Sequence, residues 1–336
     1  MKAVGHRRVA SIDEPGYLED IEIEKPTPGA HDLLVRVKAV AVNPIDLKVY
    51  RRPPVEGRPS ILGFDCAGVV EAVGADVDRF AIGEAVYYAG SVTRPGCNAQ
   101  WHCVDERLVG HKPAQLAFSD AAAIALTGLT AYELLFDLMR IDDRDAAGQG
   151  VLVVGGSGGV ASMAIQLIAA LTERPIVATA SRPDSAAWVR RLGAHYVIDH
   201  HADFAEQLDA AGAPPIGRVI SMHTSETTWA RIGRIITPFG RIGYIDDPHT
   251  LDIRVLKQKS VALYGEGMFN RSVFCTADMQ RQHDILERIA ELVEAGQLSS
   301  TAERHFGALS AENLTAAHRY LAAGHTTGKA VLDGIA

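Results

Sequence analysis

Residues 151–167, VLVVGGSGGVASMAIQL, constrain the fold more than any other stretch of this chain. Four apolar residues run straight into Gly155, Gly156, Ser157, Gly158 and Gly159, and an unbroken helical pattern follows. A buried parallel strand that enters a helix through glycines is the turn with which an α/β fold meets a pyrophosphate. Gly156 and Gly158 are expected to let the backbone turn tightly and approach the phosphates, and Ala161 to let helix and strand pack closely. Gly156, Ser157, Gly158, Gly159 and Val160 are then the expected phosphate contacts, because exposed amides and the positive end of a helix favour an anion. A glycine cluster alone also fits an ordinary loop. Here the strand before it and the helix after it are both legible, which favours a dinucleotide.

The middle of the chain follows the same grammar. Strand-like runs at 151–154, 176–180, 196–198, 218–222 and 241–245 alternate with helical stretches centred on Ala164, Val189, Glu206 and Ile232. That alternation predicts a parallel sheet with right-handed crossovers, doubly wound by helices. The N-terminal part reads instead as β-rich, with alternation over 33–41 and short β-prone runs at 67–73 and 85–88. Residues 120–138 read as one long helix rich in Ala and Leu, 279–295 as an amphipathic helix, and 329–332 as a last strand, preceded by a segment at 301–306. The expected architecture is α/β: a β-rich domain, 1–123 with 267–336, interrupted by a doubly wound dinucleotide-binding domain, 124–266.

Bulk properties narrow the partners. The chain has 336 residues, of which 47% are hydrophobic, enough for two cores. A net charge of -8 argues against nucleic acid or an anionic membrane as partner. No apolar run reads as long enough to cross a bilayer, and the N-terminus lacks an apolar secretory segment, so the cytosol is the expected compartment. Cys66, Cys97, Cys103 and Cys275 form no Cys-x-x-Cys pair and are expected to be free thiols. His102 and Cys103 are neighbours and point to opposite faces of a strand, so they do not join Cys97 in a metal site.

Several segments together resemble the medium-chain dehydrogenase/reductase superfamily. They are VNPID at 42–46, GFDCAGVV at 63–70, LTGLTA at 126–131, the glycine turn, and TTGKA at 326–330. Within it, MFNRSVF at 268–274 and DMQRQH at 278–283 resemble the zinc-free, quinone-oxidoreductase-like branch, in the subgroup often called zinc-type alcohol dehydrogenase-like. The resemblance implies a GroES-like catalytic domain around a Rossmann cofactor domain. It also implies pairing into a homodimer through the cofactor-domain edge strand, here 261–264.

In the zinc-dependent members, a cysteine, a histidine and a second cysteine hold a catalytic metal. Carried onto this chain, the first position is Asn43 and the histidine position is Phe64, beside Asp65. Residues 126–130 offer no cysteine for the last, and the four-cysteine lobe of the structural zinc is missing. A catalytic zinc needs about three protein ligands at roughly 2.0–2.3 Å. An amide and a phenyl ring do not supply two of them, so a metal-free site is expected.

The end of the second strand faces the adenosine ribose in this fold, and NAD-binding versions tend to place a carboxylate there. This chain has Thr179-Ala180-Ser181-Arg182. Ser181 offers a hydrogen bond and Arg182 a charge-assisted contact, which favours the 2′-phosphate of NADPH; alternatively Arg182 is a solvated loop cation, and Asp184 follows closely. By resemblance His200 flanks the adenine ribose, although taken alone it reads as a surface histidine.

Without a Lewis acid, hydrogen-bond donors must stabilise the charge that develops on an acceptor, which suits quinones and α,β-unsaturated carbonyls. Asn43 is the expected donor, or else a turn asparagine before Pro44, and Asp46 supports that turn. Tyr50 is a candidate proton donor or pocket wall. By resemblance Thr127 and Thr130 approach the nicotinamide and its ribose, with helix capping as the local alternative. Phe64, Phe269 and Tyr244 are candidate walls of an apolar pocket, the last two on the cofactor's side, or else core aromatics. Arg271 and Lys329 are candidate contacts to cofactor phosphate or amide groups, or else surface ion pairs. The expected function is NADPH-dependent reduction of a quinone or enone. The alternatives are a zinc alcohol dehydrogenase, and an NADPH-binding sensor with little catalysis.

Overall fold

A computed structural model describes residues 1–143 and 148–335. The chain divides into two compact units, Met1–Leu129 with Phe269–Ala336, and Thr130–Met268. The division falls inside the helix Ala125–Tyr132, a few residues later than the expected boundary between 123 and 124.

The continuous unit is built on a six-stranded parallel sheet. Its strands are Gly150–Val154, Ile176–Thr179, Tyr196–Ile198, Ile216–Ser221, Ile236–Tyr244 and Ala262–Gly265. Numbered within this unit, their order in the sheet is 3-2-1-4-5-6, so the chain reverses direction beside its first strand. Helices Gly159–Leu171, Pro183–Arg191, Phe204–Ala210 and Glu226–Ile235 make the crossovers. Central parallel strands are covered on both faces and so read as continuous apolar runs. Residues 151–154 are accordingly buried throughout. Leu152, Val177, Phe204, Val219, Trp229 and Ile232 belong to one core cluster. Fully burying each such aliphatic side chain contributes about 1.5–3 kcal/mol. The strand Ala262–Gly265 forms one edge of the sheet and Tyr196–Ile198 the other.

The discontinuous unit is β-rich. Lys2–His6 pairs antiparallel with Glu19–Glu22 and Ser60–Ile61 in a small sheet. A larger sheet is organised by Asp32–Ala41, which pairs antiparallel with Cys66–Val73, Trp101–Asp105 and Lys329–Asp333. The register against the last strand sets Val331 opposite Ala41 and Leu332 opposite Val40. Continued two residues outward, it brings Lys329 to Asn43. On the other side Cys66 faces Val40, and Ala41 N–H donates to the Asp65 carbonyl at 3.0 Å. Residues from three distant parts of the sequence therefore meet at one end of these strands.

The long helical reading over 120–138 needs correction. The chain forms Phe118–Ala122, then Ala125–Tyr132, then a wider π-wound segment at Glu133–Leu138. The stretch Phe118–Leu138, at 21 residues, is long and apolar enough to cross a bilayer, contrary to the sequence reading; 78% of its most apolar window is buried inside the protein.

Candidate active site

The glycine turn lies between the strand Gly150–Val154 and the helix Gly159–Leu171, whose N-cap is Gly158. The residue that turns the chain is Gly155, at φ +76°, a conformation that a side chain strains; Gly156 and Gly158 were expected to do this. Gly156 serves by closeness instead, since a Cβ there would meet Ala178 Cβ and the Thr179 carbonyl at 3.1 Å. Thr179 clamps the turn, its hydroxyl accepting from Gly155 N–H at 2.9 Å and its carbonyl from Gly156 N–H at 3.1 Å. Around Gly158 a Cβ would meet only the Gly155 carbonyl, at 3.6 Å, so space is left above the helix N-terminus. Val160, Ser157 and Gly159 are half-buried there, and the first-turn amides have no partner within their own helix. This cradle fits a dinucleotide pyrophosphate.

At the end of the neighbouring strand, Ser181 and Arg182 are exposed. Ser185 fixes that corner: its hydroxyl donates to the Arg182 carbonyl at 2.9 Å and accepts from Arg182 N–H at 3.2 Å. His200 is half-buried and its ring packs against His201 at 4.1 Å. Burial, then the neighbouring His201, holds its pKa below the usual histidine value, so it is neutral at pH 7. Tyr244 ends its strand half-buried and lies over Gly265, where a Cβ would come within 2.9 Å of its hydroxyl.

In the other unit the chemistry sits in a buried network. Asn43 is the N-cap of Pro44–Tyr50, and its N–H donates to Asp46 Oδ2 at 2.7 Å. The other Asp46 oxygen accepts from Gly63 N–H at 3.1 Å. Gly63 itself stands at φ +104°, where a Cβ would fall 2.5 Å from Asn98 Oδ1. The Asn43 side chain is 2% exposed; its Nδ2 donates to Asp65 Oδ2 at 2.9 Å and its Oδ1 accepts from Lys329 Nζ at 2.5 Å. Lys329 Nζ also donates to the Val42 carbonyl at 2.6 Å and pairs with Asp65 at 3.0 Å. Asp65 Oδ1 accepts from Leu126 N–H at 2.8 Å. Burial raises the pKa of both carboxyls, Asp46 to about 7 and Asp65 upward against the pull of Lys329.

Phe64, 2% exposed, meets Phe269 edge-on, with ring centroids 5.6 Å apart. The Asn43, Phe64 and Phe269 candidates thus share one unit, joined by Asp65 and Lys329. Lys329 is not a phosphate contact: it is 5% exposed and its ammonium is spent inside the network. Arg271 is paired with Asp278 at 3.1 Å, the ion-pair alternative. Tyr50 is not poised as a proton donor. Its hydroxyl donates to the Tyr17 carbonyl at 3.0 Å and accepts from Ala10 N–H at 3.1 Å, and its ring packs between His6 and Tyr17. Thr127 and Thr130 do not cap a helix; both lie within Ala125–Tyr132, and the Thr127 hydroxyl donates back to the Ala123 carbonyl at 3.1 Å.

Residues 29–128 match the alcohol dehydrogenase GroES-like domain family, and residues 192–332 match the zinc-binding dehydrogenase family. A zinc-type alcohol dehydrogenase-like protein of Staphylococcus aureus (strain MSSA476) is 36% identical over 99% of this chain and 100% of its own. The chain belongs to the medium-chain dehydrogenase/reductase superfamily. Among solved structures, a Rhizobium etli CFN 42 protein whose name provisionally makes it a zinc-dependent alcohol dehydrogenase superposes with a TM-score of 0.97, at 43% identity over 100% of this chain and 98% of its own. The quinone oxidoreductase of Pseudomonas syringae pv. Tomato DC3000 superposes at 0.81, with 28% identity over 99% of each chain. Medium-chain dehydrogenases and reductases are nicotinamide-dependent oxidoreductases, with a GroES-like domain and a Rossmann-like parallel sheet. This chain is such an oxidoreductase.

The zinc in several of these names can be tested on this chain's donors. Asn43 Oδ1 and Asp65 Oδ2 both point at the Lys329 ammonium, and Phe64 offers no lone pair. Among the described residues, the one group of three histidine, cysteine or carboxylate ligands close enough to share an ion is Asp199, His200 and His201, in the other unit. The residues around Asn43 do not fit a catalytic zinc.

Proposed function

We propose that the chain is a metal-free, NADPH-dependent reductase of quinones or α,β-unsaturated carbonyls. The observation that carries this reading is the buried Lys329 ammonium, held by Asp65, Asn43 and Val42 beside Phe64. It provides a fixed internal cation where zinc-dependent relatives place their metal ligands. The reduced nicotinamide, when bound, supplies a hydride. Lys329 polarises the Asn43 amide, because a donor on Oδ1 strengthens the acidity of the Nδ2 protons. One of those protons goes to Asp65; the second remains to meet negative charge that grows on an acceptor oxygen. Among the described residues, the Tyr50 hydroxyl is held by Tyr17 and Ala10, so water supplies the proton. Electron-poor acceptors suit such modest assistance, and simple alcohols do not.

The preference for NADPH is supported by Ser181 and Arg182, both exposed at the end of the second parallel strand, with no carboxylate at that strand end. A homodimer is supported by the edge position of Ala262–Gly265, and sedimentation with a strand-breaking Leu263→Pro variant would test it. The reading as a whole is tested by metal analysis of protein purified without chelator, together with NADPH oxidation against a panel of quinones and enones. The expected result is turnover at substoichiometric metal. Stoichiometric zinc, or tight NADPH binding with no turnover on any acceptor, would overturn it.

A further inference from the structure

Beside Phe64 the β-rich unit carries a crevice of about 340 Å³, lined by Phe64, Val49, Ile61 and the proline-rich loop after residue 50. Its apolar lining suits a flat unsaturated body. Its charged lining has one sign: Arg52, Arg58 and Arg94 reach it, and no acidic side chain does. Arg94 is already neutralised by a two-pronged contact to Asp32, at 2.7 and 2.8 Å. Arg52 and Arg58 are exposed and have no carboxylate partner among the described residues. The chain has 41 acidic residues against 33 basic ones, so two unopposed guanidiniums at an apolar crevice reverse the prevailing charge.

The loop presents these two arginines in a fixed way. Each directly precedes a proline, Pro53 and Pro59, which biases its backbone toward an extended conformation. Arg52 N–H donates to the Val49 carbonyl at 2.9 Å, and Arg58 N–H to the Val55 carbonyl at 3.0 Å. Less loop entropy is then lost when a ligand is gripped.

Resting on the reductase reading, we propose that the acceptor joins an apolar unsaturated body to an anionic group, a carboxylate or a phosphate, and that Arg52 and Arg58 hold that group. Both anions present paired oxygens to a guanidinium fork, which gives charge-assisted hydrogen bonds.

The test is equilibrium binding of a carboxylated naphthoquinone and of its methyl ester to the full chain, measured by calorimetry. The two ligands differ in charge at one point. The acid is expected to bind about tenfold more tightly than the ester, an advantage of the size of one charged hydrogen bond. That ratio should fall to near unity in the Arg52→Gln, Arg58→Gln double variant. It should survive in Arg51→Gln, which removes another exposed charge that does not line the crevice. A phosphate-bearing analogue in parallel separates the two anions. Equal binding of acid and ester, an acid preference that survives the double variant, or no binding of either ligand would overturn the proposal. Turnover is read separately. An acid held by the two arginines but never reduced removes the reductase reading and leaves the anion-binding role of Arg52 and Arg58 standing. Reduction of both ligands with equal binding does the reverse.

Discussion

The two units assemble their chemistry in opposite ways. In the parallel-sheet unit the cradle is backbone: Gly155, Gly156 and a helix N-terminus, all within a few residues of one another. In the β-rich unit the site is side chains: Asn43, Asp46, Asp65 and Lys329, buried and mutually bonded across up to 286 positions of sequence. A backbone site tolerates most side-chain changes around it and fails by strain. A buried ionic network fails when any one partner is lost, because a desolvated charge is then left uncompensated.

The sharpest way to break this contrast is Lys329→Met. It strands Asp65, which is 0% exposed, and should cost about 3–5 kcal/mol in urea unfolding, with part of that recovered when Asp65→Asn is added. A Lys329→Met protein as stable as the parent would mean that the network carries no charge worth balancing. Next comes Asn43→Ala. Loss of a donor facing developing charge should lower turnover roughly a hundredfold while NADPH affinity, measured by fluorescence titration, hardly changes; parallel losses in both would move Asn43 to a structural role.

At the backbone site, Arg182→Glu should raise the NADPH Michaelis constant about tenfold and leave that for NADH nearly unchanged. Equal effects on the two cofactors would remove Arg182 from the 2′-phosphate. Gly155→Ala, at φ +76°, should cost only about 1–2 kcal/mol, read from thermal unfolding. The remaining effect concerns pH. Burial raises Asp46 from 3.8 to about 7, so between those values the folded chain holds a proton that the unfolded chain has released. This group's contribution is therefore present in acid and declines as pH rises from about 4 through about 7. Asp46→Asn should flatten that slope, whereas the turn at 155–160, which has no titratable side chain, adds none.

The same contrast explains what was legible beforehand. Buried parallel strands announce themselves as short apolar runs, and a glycine turn is local, so 151–160 and the doubly wound parallel sheet around it follow from pattern. Lys2–His6 and Glu19–Glu22 did not stand out, because they are short and interrupted by charge. Pairing between Lys329 and Asp65 depends on the register of antiparallel strands far apart in sequence, which no local pattern encodes. Lys329 therefore reads as a cofactor contact or a surface ion pair, and Tyr50 as a proton donor or pocket wall, when their partners Asp65 and Tyr17 are not in view. For Arg52 and Arg58 the signal was present: three arginines and three prolines in 51–59 mark a stiff cationic loop.

The position of Lys329 also sets an order of events during synthesis. Asn43 emerges from the ribosome 286 residues before the lysine that satisfies its amide. Late in that interval, once Met268 is out, the inserted Thr130–Met268 unit has every strand it needs and can fold as a block. The β-rich unit must wait with Asp46 and Asp65 hydrated until Lys329–Asp333 arrives to close its sheet. A chain halted before residue 329 would thus carry a finished glycine cradle on an unfinished candidate site.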